Sequence, residues 1–328
     1  MNKVFKIAAG LVLAAEMVSA QEIPQFSQYY QNLMLVNPAV VGAESYWDMR
    51  VGYRQQWAGV EQSPETVYLT AQGNLNAFKS DGLGLRTSQG LGGKNKALLN
   101  HGLGLTVMND QFGMIQQTGA LVSYAQHYKL TRKMNFSAGL SVGMSNVKMN
   151  ANDLTVLNQS DQTYTNFMAN NSGTGFLDGA FGVMLYSENF FAGYSVNHLF
   201  GNSITLNGEQ LNDYYNLHHL FTGGYRIAAT KDWDFIPSVL VKVMDKAPSS
   251  FDISMRAKYK NSIWLGTSYR RQESISMAFG FLISNTLNVS YSYDFNTSKF
   301  RRYSNGSHEI ILGLNLFKEN KKLNRYLW

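Results

Sequence analysis

Residues 134–149 read MNFSAGLSVGMSNVKM. Met134, Phe136, Ala138, Leu140, Val142 and Met144 are apolar. Asn135, Ser137, Gly139, Ser141, Gly143 and Ser145, set between them, are small or polar. Successive side chains of a strand point to opposite faces, so a period of two predicts a long strand with one oily face and one small, wet face. The second face of a soluble β-sandwich is polar or charged and its strands are shorter. Here that face carries Gly, Ser, Ala and Asn, which suits a crowded interior facing other walls. The oily face is then free to look outward into lipid.

The alternation recurs along the chain. Ile275, Met277, Phe279, Phe281 and Ile283 oppose Ser276, Ala278 and Gly280. Val289, Tyr291, Tyr293 and Phe295 oppose Ser290, Ser292 and Asp294. Ile263, Leu265, Thr267 and Tyr269 oppose Ser262, Gly266, Ser268 and Arg270, with Trp264 out of pattern. Fourteen such segments run from Tyr46–Trp57 to Ser307–Phe317. Most exceed the usual strand length of about 5–6 residues, and a tilted strand needs about 9–11 to cross a bilayer. An even number of such strands predicts an all-β fold, a 14-stranded antiparallel outer-membrane β-barrel.

Connection lengths test this independently, because such barrels have short periplasmic turns and longer extracellular loops. After even-numbered strands stand Leu130–Arg132, Ser187–Asn189, Thr230–Asp232, Asn261 and Ser284–Asn285, all tiny. After odd-numbered strands stand the longer Met149–Gly175, Phe200–Tyr215 and Thr297–Gly306. Phe78–Leu98, after the second strand, is the exception: long, Gly-rich and basic.

Composition agrees. Of 328 residues, 15% are charged and 13% aromatic, and there is no cysteine. Soluble domains average roughly 25% charged residues. The absence of Cys excludes disulfides, thiolate metal sites and a lipidated N-terminal Cys. Basic residues are spread along the chain, apart from Arg301-Arg302 and the C-terminus, so the net charge of +6 is no nucleic-acid footprint. Residues 1–20 read as a secretory signal: Lys3 and Lys6, an apolar stretch, then Val18-Ser19-Ala20. Residues 21–45 would be a periplasmic or lumen-plugging segment, 46–317 the barrel, and 318–328 a basic periplasmic tail.

Charges on the small face divide into Asp48, Arg50 and Arg54 in the first strand, Asp252, Arg256 and Lys258 in the tenth, then Arg270 and Asp294. Facing lipid at mid-depth, each Arg or Lys would cost roughly 2–4 kcal/mol and each Asp less; inside, they pair. Two readings stand, a structural salt network filling the lumen or a selective channel. Trp47, Tyr53, Trp57, Tyr124, Tyr128, Tyr186, Trp233, Tyr269, Tyr291 and Tyr293 read as interface girdles.

Signals for other chemistry are weak. His218 and His219 are adjacent and point apart in a strand, so one ion cannot easily take both. His101, His127, His198 and His308 show no ligand spacing. GLGGKNK at 90–96 lacks the Lys-Ser/Thr of a phosphate loop. Asp153, Asp161 and Asp178 lack calcium-loop spacing. His219 and Asp213 lie close in sequence, but nothing marks a nucleophile. No enzyme activity and no cofactor are expected.

Three stretches go beyond a generic barrel: QFSQYYQNLMLVNPAVVG at 25–42, YRQQWAGVEQSPETVYL at 53–69 and YSYDFNTSKFRRYSNGSHEIILGLNL at 291–316. They resemble the PorP/SprF family of the type IX secretion system of Bacteroidota. The matching positions are Gln25-Phe26-Ser27-Gln28-Tyr29, Asn37-Pro38-Ala39, Gly42, Tyr53-Arg54, Gln56-Trp57, Pro64, Thr66, Tyr293-Asp294 and Gly306-Ser307-His308-Glu309-Ile310. The resemblance implies an accessory barrel in the bacterial outer membrane, in contact with its lipid. It would help export or surface-anchor an adhesin or other cargo with a C-terminal sorting domain, as in gliding motility. It would also contact periplasmic secretion machinery or a peptidoglycan-bound lipoprotein. The alternative is a channel for a small or hydrophobic solute.

Overall fold

In a computed structural model the described residues are 24–44, 46–75, 99–149, 173–200, 204–206, 209–211, 216–244, 247–284 and 286–316. Residues 1–20, read from the sequence as a signal, the 78–98 connection and the C-terminal tail lie outside them.

Fourteen antiparallel strands form the wall. They are β1 Trp47–Gln55, β2 Glu65–Asn74, β3 Leu99–Phe112, β4 Ile115–Lys129, β5 Met134–Met149, β6 Thr174–Ser187 and β7 Phe190–Asn197. The other half is β8 His218–Tyr225, β9 Trp233–Met244, β10 Ala247–Tyr259, β11 Ile263–Arg270, β12 Ser274–Leu282, β13 Leu287–Asn296 and β14 Ser307–Leu316. Each pairs with its neighbours in sequence, and β1 closes the ring on β14 from Trp47↔Leu316 to Gln55↔His308. Ile227–Ala228 continues β8 along β9.

Burial runs inside out. In β5, Ser137, Ser141 and Ser145 are buried, whereas Leu140, Val142 and Met144 are among the exposed large hydrophobics. In β12, Ser274 and Ser276 are buried while Ile275, Met277, Phe279 and Phe281 are exposed. A water-soluble chain has no reason for that inversion; a hydrocarbon solvent demands it. β5, at 16 residues, outruns the bilayer. At its outer end the pattern reverts, with Val147 buried and Asn146 and Lys148 exposed.

Short connections gather at one end, as at Leu130–Lys133, Glu188–Asn189 and Lys260–Ser262. The last is a tight turn: Ser262 N–H donates to the Tyr259 carbonyl (3.0 Å), and Lys260 and Asn261 both have positive φ, as a primed hairpin turn needs. The opposite, outer end has the long β5–β6, β7–β8, β13–β14 and β1–β2 connections. It also has short ones at Gly113–Met114 and Arg271–Glu273. Long outer loops are therefore confined to two arcs of the rim.

Two expectations are corrected here. Tyr186 is not a girdle residue: it is 3% exposed and its hydroxyl bonds to the lumen-facing His127 (2.8 Å). Trp264, the apparent break in alternation, keeps it: the indole faces inward and is buried. The outer belt does contain Tyr–His pairs across neighbouring strands. Tyr124 meets His101 (2.6 Å), Tyr194 meets His219 (2.9 Å) and Tyr291 meets His308 (2.7 Å). Pairing hides polar atoms that lipid cannot satisfy.

Leu140→Arg, near mid-depth on the oily face, is expected to destabilise the barrel by about 2–4 kcal/mol, and Asn146→Arg by about 0–1 kcal/mol. Urea unfolding of liposome-inserted protein measures both.

Candidate functional site: the plugged lumen

Residues 24–44 lie inside the ring. Three short 3₁₀ turns, Tyr29–Gln31, Leu33–Leu35 and Pro38–Val40, carry the chain down the lumen. These turns bond the carbonyls of Gln28, Tyr29, Asn32, Leu33, Asn37, Pro38 and Val40 within the segment, and the wall supplies donors for others. Arg270 donates to the Phe26 carbonyl (3.0 Å) and Ser195 to that of Val36 (2.6 Å). Ser137 donates to the carbonyl of Ala39 (2.7 Å) and Asn74 to that of Gly42 (3.2 Å). His127 Nε2 bonds the Val41 carbonyl at 2.7 Å. The small polar face of the strands is thus the hydrogen-bonding shell of the plug.

At Asn37-Pro38-Ala39 the side chain works in both directions. Asn37 Oδ1 accepts from Ala39 N–H (2.9 Å), which caps the turn. Its Nδ2 donates to the Val183 and Tyr194 carbonyls of β6 and β7 (3.2 and 3.3 Å). Pro38 is pre-set for the first position of a helical turn. Close approach depends on glycine at one place above all. A Cβ on Gly102 in β3 would strike the Val41 carbonyl and the Cα of Gly42, which itself has φ +77°.

Nearer the outer end the plug is held by charge. Arg54 and Glu309 are directly opposed across β1 and β14 (3.4 Å), and Arg54 also meets Asp294 of β13 (2.9 Å). All three are 1% exposed. Ser27 completes the group: its N–H donates to Glu309 Oε2 and its hydroxyl to Asp294 Oδ2, both at 2.6 Å, while Arg54 donates to the same hydroxyl. Arg270 and Asp252 are opposed across β11 and β10 at 2.9 Å, and Lys242 approaches Asp252 at 3.5 Å. Asp48 pairs with Arg50 (2.9 Å), which reaches Gln31 of the plug (3.4 Å). Arg256 lies over the rings of Tyr30 and Trp264 at 5.2 and 5.9 Å, a cation–π contact. Lys258 is also buried and lumen-facing.

The motif positions divide between these surroundings. Phe26, Tyr29, Asn37 and Pro38 belong to the plug, and Gln25 leads into it. Arg54, Thr66 and Glu309 face it from the wall and are 0–1% exposed. Gln56, Pro64, Gly306 and Ser307 are buried where the β1–β2 and β13–β14 connections meet. There Ala58 N–H donates to the Gly306 carbonyl (2.8 Å), and Ser307 Oγ accepts from Trp57 N–H (3.2 Å). Tyr53 and His308 point outward. Sequence reading missed Ser137, Ser195, His127 and Asn74 as plug ligands. Their one signal was a polar residue at an inward position, which many others share.

A closed, inside-out ring of this kind is an outer-membrane β-barrel. Among solved structures it is similar to the Ralstonia pickettii toluene transporter TbuX, with TM-score 0.50, 9% identity, and 86% of this chain and 92% of that one covered. The Pseudomonas putida toluene transporter TodX gives TM-score 0.47 and 10% identity over 88% and 94%. The likeness to TbuX shows the barrel fold alone. No curated protein matches in sequence. The family model described as "Type IX secretion system membrane protein PorP/SprF" matches residues 18–314. The chain belongs to that family, and its place is the bacterial outer membrane.

Arg54→Ala leaves Asp294 and Glu309 buried without their cation, at an expected cost of about 3–5 kcal/mol. Thermal unfolding in detergent reads the loss. Gly102→Val is expected to lift the plug off β3, and protease cleavage within residues 25–42 of the reconstituted barrel would report it.

Proposed function

We propose that this type IX secretion barrel is an anchoring and docking protein, in which no bond is made or broken. Its partners would be an exported adhesin or other cargo with a C-terminal sorting domain, and periplasmic machinery or a peptidoglycan-bound lipoprotein. The observation that supports anchoring over diffusion is the lumen itself. Residues 24–44 run through it, and wall donors or carboxylates hold Phe26, Ser27, Val36, Ala39, Val41 and Gly42 from six strands. A path for free solute would require that whole set to break. The two arcs of long outer connections offer surface for a cargo, and the short-turn end faces the periplasm.

Planar-bilayer recording of the purified protein is expected to show no steady conductance, with a pore appearing once residues 25–42 are deleted. A standing open pore in the intact chain would return the reading to a solute channel. Cross-linking in native membranes is expected to capture a protein with a C-terminal sorting domain.

A further inference from the structure

Beside the plug, in the outer half of the lumen, lies a cavity of about 130 Å³. Leu35 and Val36 of the plug, Leu220 of β8 and Leu240 of β9 give it an apolar side, and Ser123, Ser141 and Ser145 of β4 and β5 line it as well. Its mouth is polar, with Asp178, Asn197, His198 and Lys242. Leu220 and Leu240 are buried, whereas Asn197, His198 and Lys242 are half-buried, so the cavity opens toward the outer rim.

Two buried polar atoms in this part of the wall have no hydrogen-bond partner: Asn197 Oδ1, on a residue that lines the cavity, and His218 Nδ1 beside it. They belong to residues directly opposed across β7 and β8. His218 is 5% exposed and its ring meets that of His198 edge-on at 4.8 Å. Buried polar atoms are nearly always bonded, and exceptions call for a partner. The neighbouring charges are already engaged. Asp178 accepts from Gly179 N–H (2.7 Å) and from His198 Nδ1 (3.1 Å), and Lys242 leans on Asp252.

We infer that this cavity is a binding site for a small neutral molecule with an apolar ring and one hydroxyl, the ring among Leu35, Val36, Leu220 and Leu240 and the hydroxyl at Asn197 and His218. The volume sets the size: an apolar cavity of about 150 Å³ takes up benzene. The orphaned pair sets the polar group. A hydroxyl both donates and accepts: it donates to Asn197 Oδ1 while accepting from His218 Nδ1–H, and with the amide turned round it accepts from Asn197 Nδ2 instead. A carboxylate cannot donate to Asn197 Oδ1 and would stand close to Asp178. A bare hydrocarbon would leave both atoms unmet. The site does not depend on the anchoring role, because the plug forms one of its walls without moving.

The test uses the full chain in lipid nanodiscs with 4-fluorophenol, followed by fluorine NMR, and with fluorobenzene as the ring without the hydroxyl. Saturable binding of 4-fluorophenol is expected, with fluorobenzene weaker by roughly tenfold, the worth of about one hydrogen bond. Leu240→Trp fills the cavity and should leave only the non-saturable partition into lipid. Asn197→Leu should bring the two probes to similar affinity. If Leu240→Trp fails to fold, Ser141→Leu fills the same space from β5. Unsaturable uptake that both filled variants share with the wild type would overturn the site. Equal affinity of the two probes in the wild type would overturn the hydroxyl assignment.

Discussion

Everything in this protein follows from a backbone that must leave no hydrogen bond open in hydrocarbon. A ring of fourteen strands meets that condition because it has no edge. Closure then dictates where each side chain goes. Oily residues turn outward to the acyl chains, and everything else is confined to a narrow interior. The consequence is a wall whose inward face is rich in serines, glycines and charges, the reverse of a soluble protein.

Such a face must have its polar groups solvated from within. The plug does this. Its short 3₁₀ turns leave carbonyls unbonded, and the wall has donors without acceptors; each meets the other's need. An unmet buried group costs about 1–3 kcal/mol, so every plug contact depends on the rest being made. Apolar packing adds to this where it can. Tyr29, Tyr30, Leu33, Val36 and Val40 form a cluster with Met184, Phe191, Leu240 and Trp264 of the wall. The ion pairs play a different part. A buried pair contributes little net stability against an apolar substitute. The Arg54–Asp294–Glu309 group instead fixes where Ser27, and so the start of the plug, must sit.

This arrangement joins the three conspicuous sequence stretches into one assembly. The plug segment, the β1–β2 region and the β13–β14 region meet at Ser27, Arg54, Asp294 and Glu309, although Ser27 and Glu309 are 282 residues apart. Their common feature is contact with one another across the seam where the ring closes.

The alternation in residues 134–149 determined the wall by itself, because a period of two leaves each residue one of two faces, and only lipid accepts the oily one outward. Repetition of that pattern set the strand number, and turn lengths set which end was which. Inward placement of Arg54, Asp252, Arg270 and Asp294 was legible for the same reason. Their partners were not. Trp264 looked like a fault in the pattern and Tyr186 like an anchor, until the register set one against Tyr30 and the other against His127. The serine and histidine ligands of the plug, and the cavity at Asn197 and His218, were equally hidden. Each depends on which strands face one another across a closed lumen. Periodicity tells the face of a residue, but only closure of the ring brings opposite walls within hydrogen-bonding distance of the chain between them.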